Sequence, residues 1–78
     1  MNQQILFNDD FMFDKKLLLW SATAMISGQV VTIHFHSNQL NKLKEIDQKT
    51  QFDLEETAEL WLEENELESN EIHIYFNY

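Results

Sequence analysis

The only glycine of the 78-residue chain, Gly28, lies between two runs in which apolar and polar residues alternate. Residues 17–26 form the first run and residues 30–36 form the second. Such alternation is typical of strands with one buried face, and a Ser-Gly pair supplies the positive φ that a tight turn needs. The sequence therefore predicts a β-hairpin whose inner face carries Leu18, Trp20, Ala22, Ala24 and Ile26 from one strand and Val31, Ile33 and Phe35 from the other.

Two more strands are predicted near the ends of the chain. Residues 5–7 (ILF) form a short apolar run that ends at the turn sequence Asn-Asp-Asp. Ile72, Ile74 and Phe76 alternate with polar residues and are of the β-branched and aromatic types that strands favour. Residues 14–16 (Asp-Lys-Lys) read as a further turn before the hairpin.

Helical spacing appears between the hairpin and the last strand. Leu40, Leu43 and Ile46 lie three residues apart, which predicts a short helix with Ser37 as its N-cap. A second, longer helix is expected to start at Thr50, with Asp53 as its capping-box partner. Its apolar stripe consists of Leu54, Ala58, Trp61 and Leu62.

The predicted fold is a single α+β domain over residues 1–78, with element order β-β-β-α-α-β. A small antiparallel meander sheet would be covered on one face by the two helices. Trp20 lies on the inner strand face and Trp61 lies on the helix stripe, so both are expected in the core.

Composition limits the class of protein. The chain has no cysteine, so no disulfide or thiolate metal site supports the core, and this favours the cytoplasm. The N-terminus lacks the basic region of a signal peptide, and no segment approaches the roughly 18 apolar residues of a membrane span. We therefore expect a cytoplasmic domain.

The charge lies almost entirely in the C-terminal part. Five of the 14 acidic residues and all five basic residues, which are lysines, precede residue 50, so the net charge of −9 belongs to residues 50–78. Such a segment repels nucleic acid and anionic membranes and attracts basic proteins. We expect neither direct nucleic-acid binding nor membrane binding.

Glutamates of the predicted long helix form two overlapping acidic rows, Glu55, Glu59 and Glu63 in one and Glu56, Glu59, Glu63 and Glu66 in the other. Like charges at i, i+4 spacing cost roughly 0.2–0.5 kcal/mol per pair, and acids near a helix C-terminus oppose the dipole. Local rules that are broken without local compensation tend to mark function. One interpretation is a solvated helix face, and the other is a surface for a basic partner, which includes mimicry of nucleic acid toward a nucleic-acid-binding protein. The candidate partner-binding residues are Glu55, Glu56, Glu59, Glu63, Glu64 and Glu66.

Three histidines provide a second hypothesis. His34 and His36 share one face of the hairpin, and His73 is predicted on the same outer face. Three imidazoles could bind zinc or copper, so a small metal-binding protein is the alternative function. The competing interpretation is three solvent-exposed histidines and no cofactor.

Enzymatic activity is not expected from this sequence. No cysteine nucleophile is present, and the paired carboxylates lie on a convex helix rather than in a cleft that would perturb their pKa values. A third hypothesis is a structural homodimer through an apolar patch on the outer sheet face. That patch would consist of Leu17, Leu19, Met25, Val30 and Tyr75.

The run FD-x-EE-x-AE at residues 52–59, together with ILF, the following acidic pair and the strand-glycine-strand hairpin, resembles a family of small uncharacterised bacterial proteins. This family is the domain of unknown function 1488. The resemblance spans nearly the whole chain and implies a meander sheet packed against two helices, with no known activity. The chain differs from the family pattern at Asn8, where proline is usual, and in lacking arginines near the start of the long helix.

Overall fold

The hairpin predicted around Gly28 is present in the computed structural model of the chain, which describes residues 5–77. Strands β3 (Leu19–Ile26) and β4 (Gln29–His36) are antiparallel and are joined by Ser27 and Gly28, both of which have positive φ. This is the combination that a two-residue type I′ turn requires. The first strand begins two residues later than expected, because residues 15–18 form a turn in which Leu18 also has a positive φ and is exposed.

Two short strands pair with the same edge of β3. Strand β1 (Ile5–Phe7) was predicted, whereas strand β2 (Met12–Asp14) was not. The two strands are separated at Thr23, because the Asp10 carboxylate accepts hydrogen bonds from the Thr23 backbone N–H, at 2.8 Å, and from its hydroxyl. A side chain thus takes the position that a continuous strand would occupy.

The predicted antiparallel meander is wrong at the last strand. Strand β5 (Glu71–Tyr75) pairs in parallel with β4, with Ile33 opposite Ile72 and His34 opposite His73. The sheet is therefore mixed, with strand order β1-β3-β4-β5 and β2 beside β1 on β3. Parallel pairing follows because the chain leaves β4 and returns through a helix, which forms a crossover connection.

The first predicted helix is also wrong. Leu40–Lys42 form a single 3-10 turn in which Leu40 is buried and the following Leu43 is exposed. The Ser37 hydroxyl still accepts a hydrogen bond from the Leu40 N–H, at 3.4 Å. The turn is attached to the sheet by Asn41, whose side-chain oxygen accepts a bond from the Trp20 N–H at 3.0 Å.

The one long helix of the described residues, α1 (Gln48–Glu64), begins earlier than expected. Asp47, rather than Thr50, is the N-cap, since its carboxylate accepts the Thr50 N–H at 2.8 Å. Within residues 5–77, no helix is both long and apolar enough to cross a membrane.

The core lies between α1 and the inner face of the sheet. Trp20 is buried as predicted, whereas Trp61 is only half-buried and packs at the core edge. The buried stripe of α1 therefore consists of Leu54, Ala58 and Leu62, and it faces Ala22, Ala24, Ile26, Val31, Ile33, Phe35, Ile72 and Ile74.

Candidate functional site

The acidic surface is the solvent face of α1. Leu54, Ala58 and Leu62 hold the opposite side of the helix in the core. Helical periodicity then directs a stripe of four residues toward solvent, and all four are exposed: Phe52, Glu56, Glu59 and Glu63. Leu60 flanks this stripe and is also exposed, so two large apolar side chains (Phe52 at 61% and Leu60 at 56%) lie among the carboxylates.

The two ends of α1 differ in electrostatics. Near the N-terminus, Lys49 forms an ion pair with Asp53 at 3.2 Å, and Gln51 donates a hydrogen bond to Glu55. The hydrogen bonds from Thr50 lower the pKa of the Asp47 carboxyl, and nearby Lys49 adds to this effect. The carboxylates at the start of the helix therefore have local hydrogen-bond or ion-pair partners.

The C-terminal half of α1 lacks such compensation. Its last turn contains no basic residue, and Asn65 caps the end by donating its side-chain N–H to the Trp61 carbonyl at 2.9 Å. Across residues 5–77, none of the later glutamates of the acidic segment has an ion-pair partner: Glu56, Glu59, Glu63, Glu64 and Glu66.

The predicted acidic row is shorter than expected. The helix ends at Glu64, so Glu66 does not continue the row, and Glu55 is half-buried on the flank. Instead, Glu66 returns to the helix end and joins Glu63 and Glu64 around a shallow depression that Leu62, Asn65 and Leu67 complete. Three carboxylates and the negative end of the helix dipole therefore surround one concave surface.

The three histidines come together on the outer face of β4 and β5, as predicted. The parallel register places His34 opposite His73, and their rings stack with centroids 4.6 Å apart. His36 Nε2 lies 2.8 Å from His73 Nδ1, and the His36 ring also stacks on Tyr75. Burial and the neighbouring histidines lower the pKa of His36.

His34 is not solvent-exposed, in contrast to the alternative interpretation of the sequence. It is 4% exposed and lies between two polar partners. Its Nδ1 is 2.8 Å from the Ser21 hydroxyl, and its Nε2 is 2.9 Å from the Glu71 carboxylate. Neither Ser21 nor Glu71 was identified from the sequence. The available signal was the Glu-x-His spacing of residues 71–73, which puts both side chains on one strand face.

The series Ser21–His34–Glu71 has the order of groups found in hydrolase triads. Ser21 is 6% exposed, however, and its backbone pairs with Met12 on one side and His34 on the other. The hydroxyl is therefore not presented to a substrate, and the adjacent strand N–H groups belong to the sheet ladder rather than to an oxyanion site.

The single apolar patch predicted on the outer sheet face is interrupted. Leu19 is buried, and Leu17 lies in the preceding turn. By register, Met25 and Val30 lie at one end of the strands and Tyr75 lies at the other. A polar band separates these ends: Ser21, Thr23, Thr32, His34, Glu71 and His73. Dimer formation through this face stays a prediction.

The comparison with solved structures relates this architecture to a known fold. A crystal structure of a protein of unknown function from the domain of unknown function 1488 family, from Shewanella loihica PV-4, matches with a TM-score of 0.69. It is 24% identical, and the match covers 95% of this chain and 94% of that chain. The two chains share one fold. No family model matches the chain, and no curated protein matches its sequence.

The family resemblance seen in the sequence is thereby confirmed at the level of the fold. The run at residues 52–59 that carries it lies in the first half of α1. Asn8, where the family usually has proline, donates its backbone N–H to the Thr23 carbonyl at 3.1 Å, and proline has no such N–H.

Proposed function

We propose that this protein is a non-enzymatic interaction module that binds a basic segment of a partner protein through the solvent face of α1. One observation supports the proposal most strongly: Glu56, Glu59 and Glu63 lie in one exposed stripe with no ion-pair partner within residues 5–77. Lysine or arginine side chains of a partner would supply the missing charge.

The charge arrangement has a cost in the free protein. Glu59 and Glu63 are one turn apart, and Glu63 and Glu64 lie at the negative end of the helix. Each like-charge pair costs roughly 0.2–0.5 kcal/mol, and each acid near the C-terminus costs a similar amount before screening. Binding of a basic segment would remove both unfavourable contributions.

The apolar residues of the same face narrow the kind of partner. Phe52 and Leu60 are eight residues apart, or about 12 Å along the helix. Exposed aromatic and aliphatic side chains within a charged rim are typical of interface anchors. We therefore propose a partner segment that carries apolar side chains between its basic residues, rather than a uniformly charged one.

Nucleic-acid mimicry is a specific form of this proposal. Carboxylates one helical turn apart, at about 5.4 Å, could enter a groove that binds phosphates, although DNA phosphates recur at about 3.4 Å of axis per strand. In this form the basic partner is a nucleic-acid-binding protein, and duplex DNA should displace it from the acidic helix.

The test is affinity capture from cytoplasmic lysate with the wild-type chain and two charge-matched variants. Glu59→Gln/Glu63→Gln removes two charges from the stripe, and Glu45→Gln/Glu68→Gln removes two from exposed positions outside α1. We expect the first variant alone to lose the captured protein, and we expect capture to weaken with salt because the Debye length shortens.

A polylysine binding assay provides the control for net charge. The two variants carry equal charge and should bind polylysine equally. Equal capture of the partner by both variants would contradict the proposal. Displacement of the captured protein by duplex DNA would support mimicry, whereas resistance to DNA would contradict that form of the proposal.

A further inference from the structure

The outer face of β4 and β5 carries three side chains with the donor atoms of a metal site. His34, Glu71 and His73 each offer one ligand atom, and these atoms lie within 4.8 Å of one another. We propose that these three residues bind a divalent transition-metal ion of the zinc type, with His36 as a positioning residue. The site differs from the one expected from the sequence, because Glu71 replaces His36 in the ligand set.

The hydrogen bonds of the ligand histidines fit this role. A metal-binding histidine usually has its second ring nitrogen bonded to another group, which fixes the ring and the tautomer. The Nδ1 of His34 is held by the Ser21 hydroxyl at 2.8 Å, and the Nδ1 of His73 is held by His36 at 2.8 Å. In both rings Nε2 is therefore the nitrogen for the metal.

The Ser21 hydroxyl can hydrogen-bond to His34 Nδ1 both without and with a bound metal ion. The Nε2 of His34 lies 2.9 Å from the Glu71 carboxylate and its Nδ1 lies 2.8 Å from the Ser21 hydroxyl, so with the ring proton on Nε2 the Ser21 hydroxyl would donate to Nδ1. With metal on Nε2, the ring proton moves to Nδ1 and donates to the Ser21 oxygen. A hydroxyl both donates and accepts, so the change of tautomer needs no rearrangement of the buried side.

The three ligand residues range from buried to exposed, so an ion could reach the cluster from the solvent side. His34 is almost completely buried, whereas Glu71 and His73 are exposed on β5. Tetrahedral ligands at about 2.1 Å from zinc lie about 3.4 Å apart. His34 Nε2 and Glu71 Oε1 are 2.9 Å apart, so this pair has to open by about 0.5 Å. All three ligand atoms lie within 4.8 Å of one another, and small shifts of the exposed Glu71 and His73 side chains on β5 would bring them to this spacing.

The ligand types decide the class of metal. Imidazole and carboxylate ligands suit zinc and its neighbours, while a single carboxylate offers too few oxygen ligands for calcium or magnesium. The absence of cysteine argues against a site for soft ions such as copper(I). Three protein ligands also leave one tetrahedral position for water.

The site is independent of the acidic helix. The histidine side chains lie on the outer face of the sheet, whereas the inner face packs against α1. Substitutions in one surface can therefore test that surface without altering the other. Metal binding would also connect the edge strand β5 to β4, so it should stabilise the folded state by mass action.

Isothermal titration with Zn²⁺ on the full chain tests the proposal. Glu71→Gln and His73→Asn change exposed residues, so both variants should fold. We expect His36→Asn to weaken Zn²⁺ binding by roughly 10- to 100-fold, and each ligand substitution to weaken it more. Glu68→Gln, and Glu59→Gln/Glu63→Gln in the helix, should bind Zn²⁺ as wild type does.

Histidine ring ¹⁵N NMR supplies a readout that a merely structural role would not change. On addition of Zn²⁺, the Nε2 signals of His34 and His73 should move, while their Nδ1 nitrogens keep or gain the proton. Unchanged Zn²⁺ affinity in Glu71→Gln would overturn the proposal. The same conclusion would follow if Zn²⁺ moved only the His36 signals, or if only the helix variant lost binding.

Discussion

The two faces of the same sheet are buried in different ways. On the inner face, Ile33 and Phe35 are covered by a second layer that consists mainly of α1. On the outer face, Ser21 and His34 are also buried, although the core cluster and α1 lie on the other side of the sheet. Their burial comes from neighbours in the same sheet, and their polar atoms are satisfied by one another and by Glu71.

This difference separates two kinds of stability. The inner face depends on apolar area and close packing, to which no titrating group contributes. The outer face depends on a chain of hydrogen bonds. A buried member of this chain destabilises the fold when its partner is removed, because its polar atom is then buried without a hydrogen bond. Of the two faces, the outer one therefore carries the groups that could bind a metal ion.

The largest expected effect is on the inner face. Phe35 is fully buried and contacts the rings of Phe11 and Phe76. Phe35→Ala should lower the free energy of unfolding by about 3–5 kcal/mol, measured by urea denaturation with tryptophan fluorescence. The matched change on the outer face, at exposed Val30, should alter stability by less than about 0.5 kcal/mol. Equal losses of unfolding free energy at Phe35 and Val30 would show that the two faces do not differ in their contribution to stability.

The next largest effect should come from the outer face. Ser21→Ala leaves the buried His34 Nδ1 without a partner and should cost about 1–3 kcal/mol. Replacement of both partners, in Ser21→Ala/His34→Leu, should recover most of this loss, because neither position then carries a buried polar atom that lacks a bond. A double variant that is less stable than the sum of the single changes would show that the bond is not the cause.

A smaller effect is expected at the start of the helix that covers the inner face. Asp47→Ala should lower the melting temperature at neutral pH by roughly 4–8 °C, because the N-cap bond to Thr50 is lost. The folded-state pKa of Asp47 is lowered from 3.8, so its contribution is present above that pH and disappears as the pH falls through the folded value.

Thermal melts of Asp47→Ala and wild type should therefore approach each other only as the pH falls below 3.8. Asp47→Asn supplies the control, because the amide oxygen still caps the helix but does not titrate. A difference between wild type and Asp47→Ala that does not shrink at low pH would mean that the charge of the cap carboxylate does not contribute to the effect.

The smallest effect concerns the solvent side of that helix. Glu59→Gln/Glu63→Gln should raise stability by about 0.2–0.5 kcal/mol in low salt, because a like-charge pair is removed. The gain should shrink as salt is added, since these side chains are exposed. A loss of stability in chemical denaturation would indicate that the two carboxylates support the fold rather than oppose it.

Local patterns predicted those elements of the fold that local forces determine. The hairpin at Gly28 follows from alternation and turn chemistry, and the α1 stripe follows from helical spacing. Strand β2 was missed because three residues beside a turn carry too little periodicity. The spacing of Leu40, Leu43 and Ile46 indicated a helix, but Leu43 is 40% exposed and only one turn forms.

Long-range pairing explains the remaining errors. The parallel position of β5 is decided by the crossover through α1, which no local window contains. This pairing also brings Glu71 to His34, so the polar chain from Ser21 was not visible in the sequence. Thr50 was predicted as the N-cap, whereas the N-cap is Asp47, which has an extended backbone and accepts the Thr50 N–H.

The crossover has a consequence for folding kinetics. His34 and Glu71 are 37 residues apart in the chain, whereas the hairpin closes across two turn residues. Loop-closure entropy therefore favours early pairing of β3 with β4 and late docking of β5. Until β5 docks, the edge of β4 carries unpaired backbone groups and uncovered apolar side chains, so loss of the C-terminal strand would expose a strand edge on which other chains could aggregate.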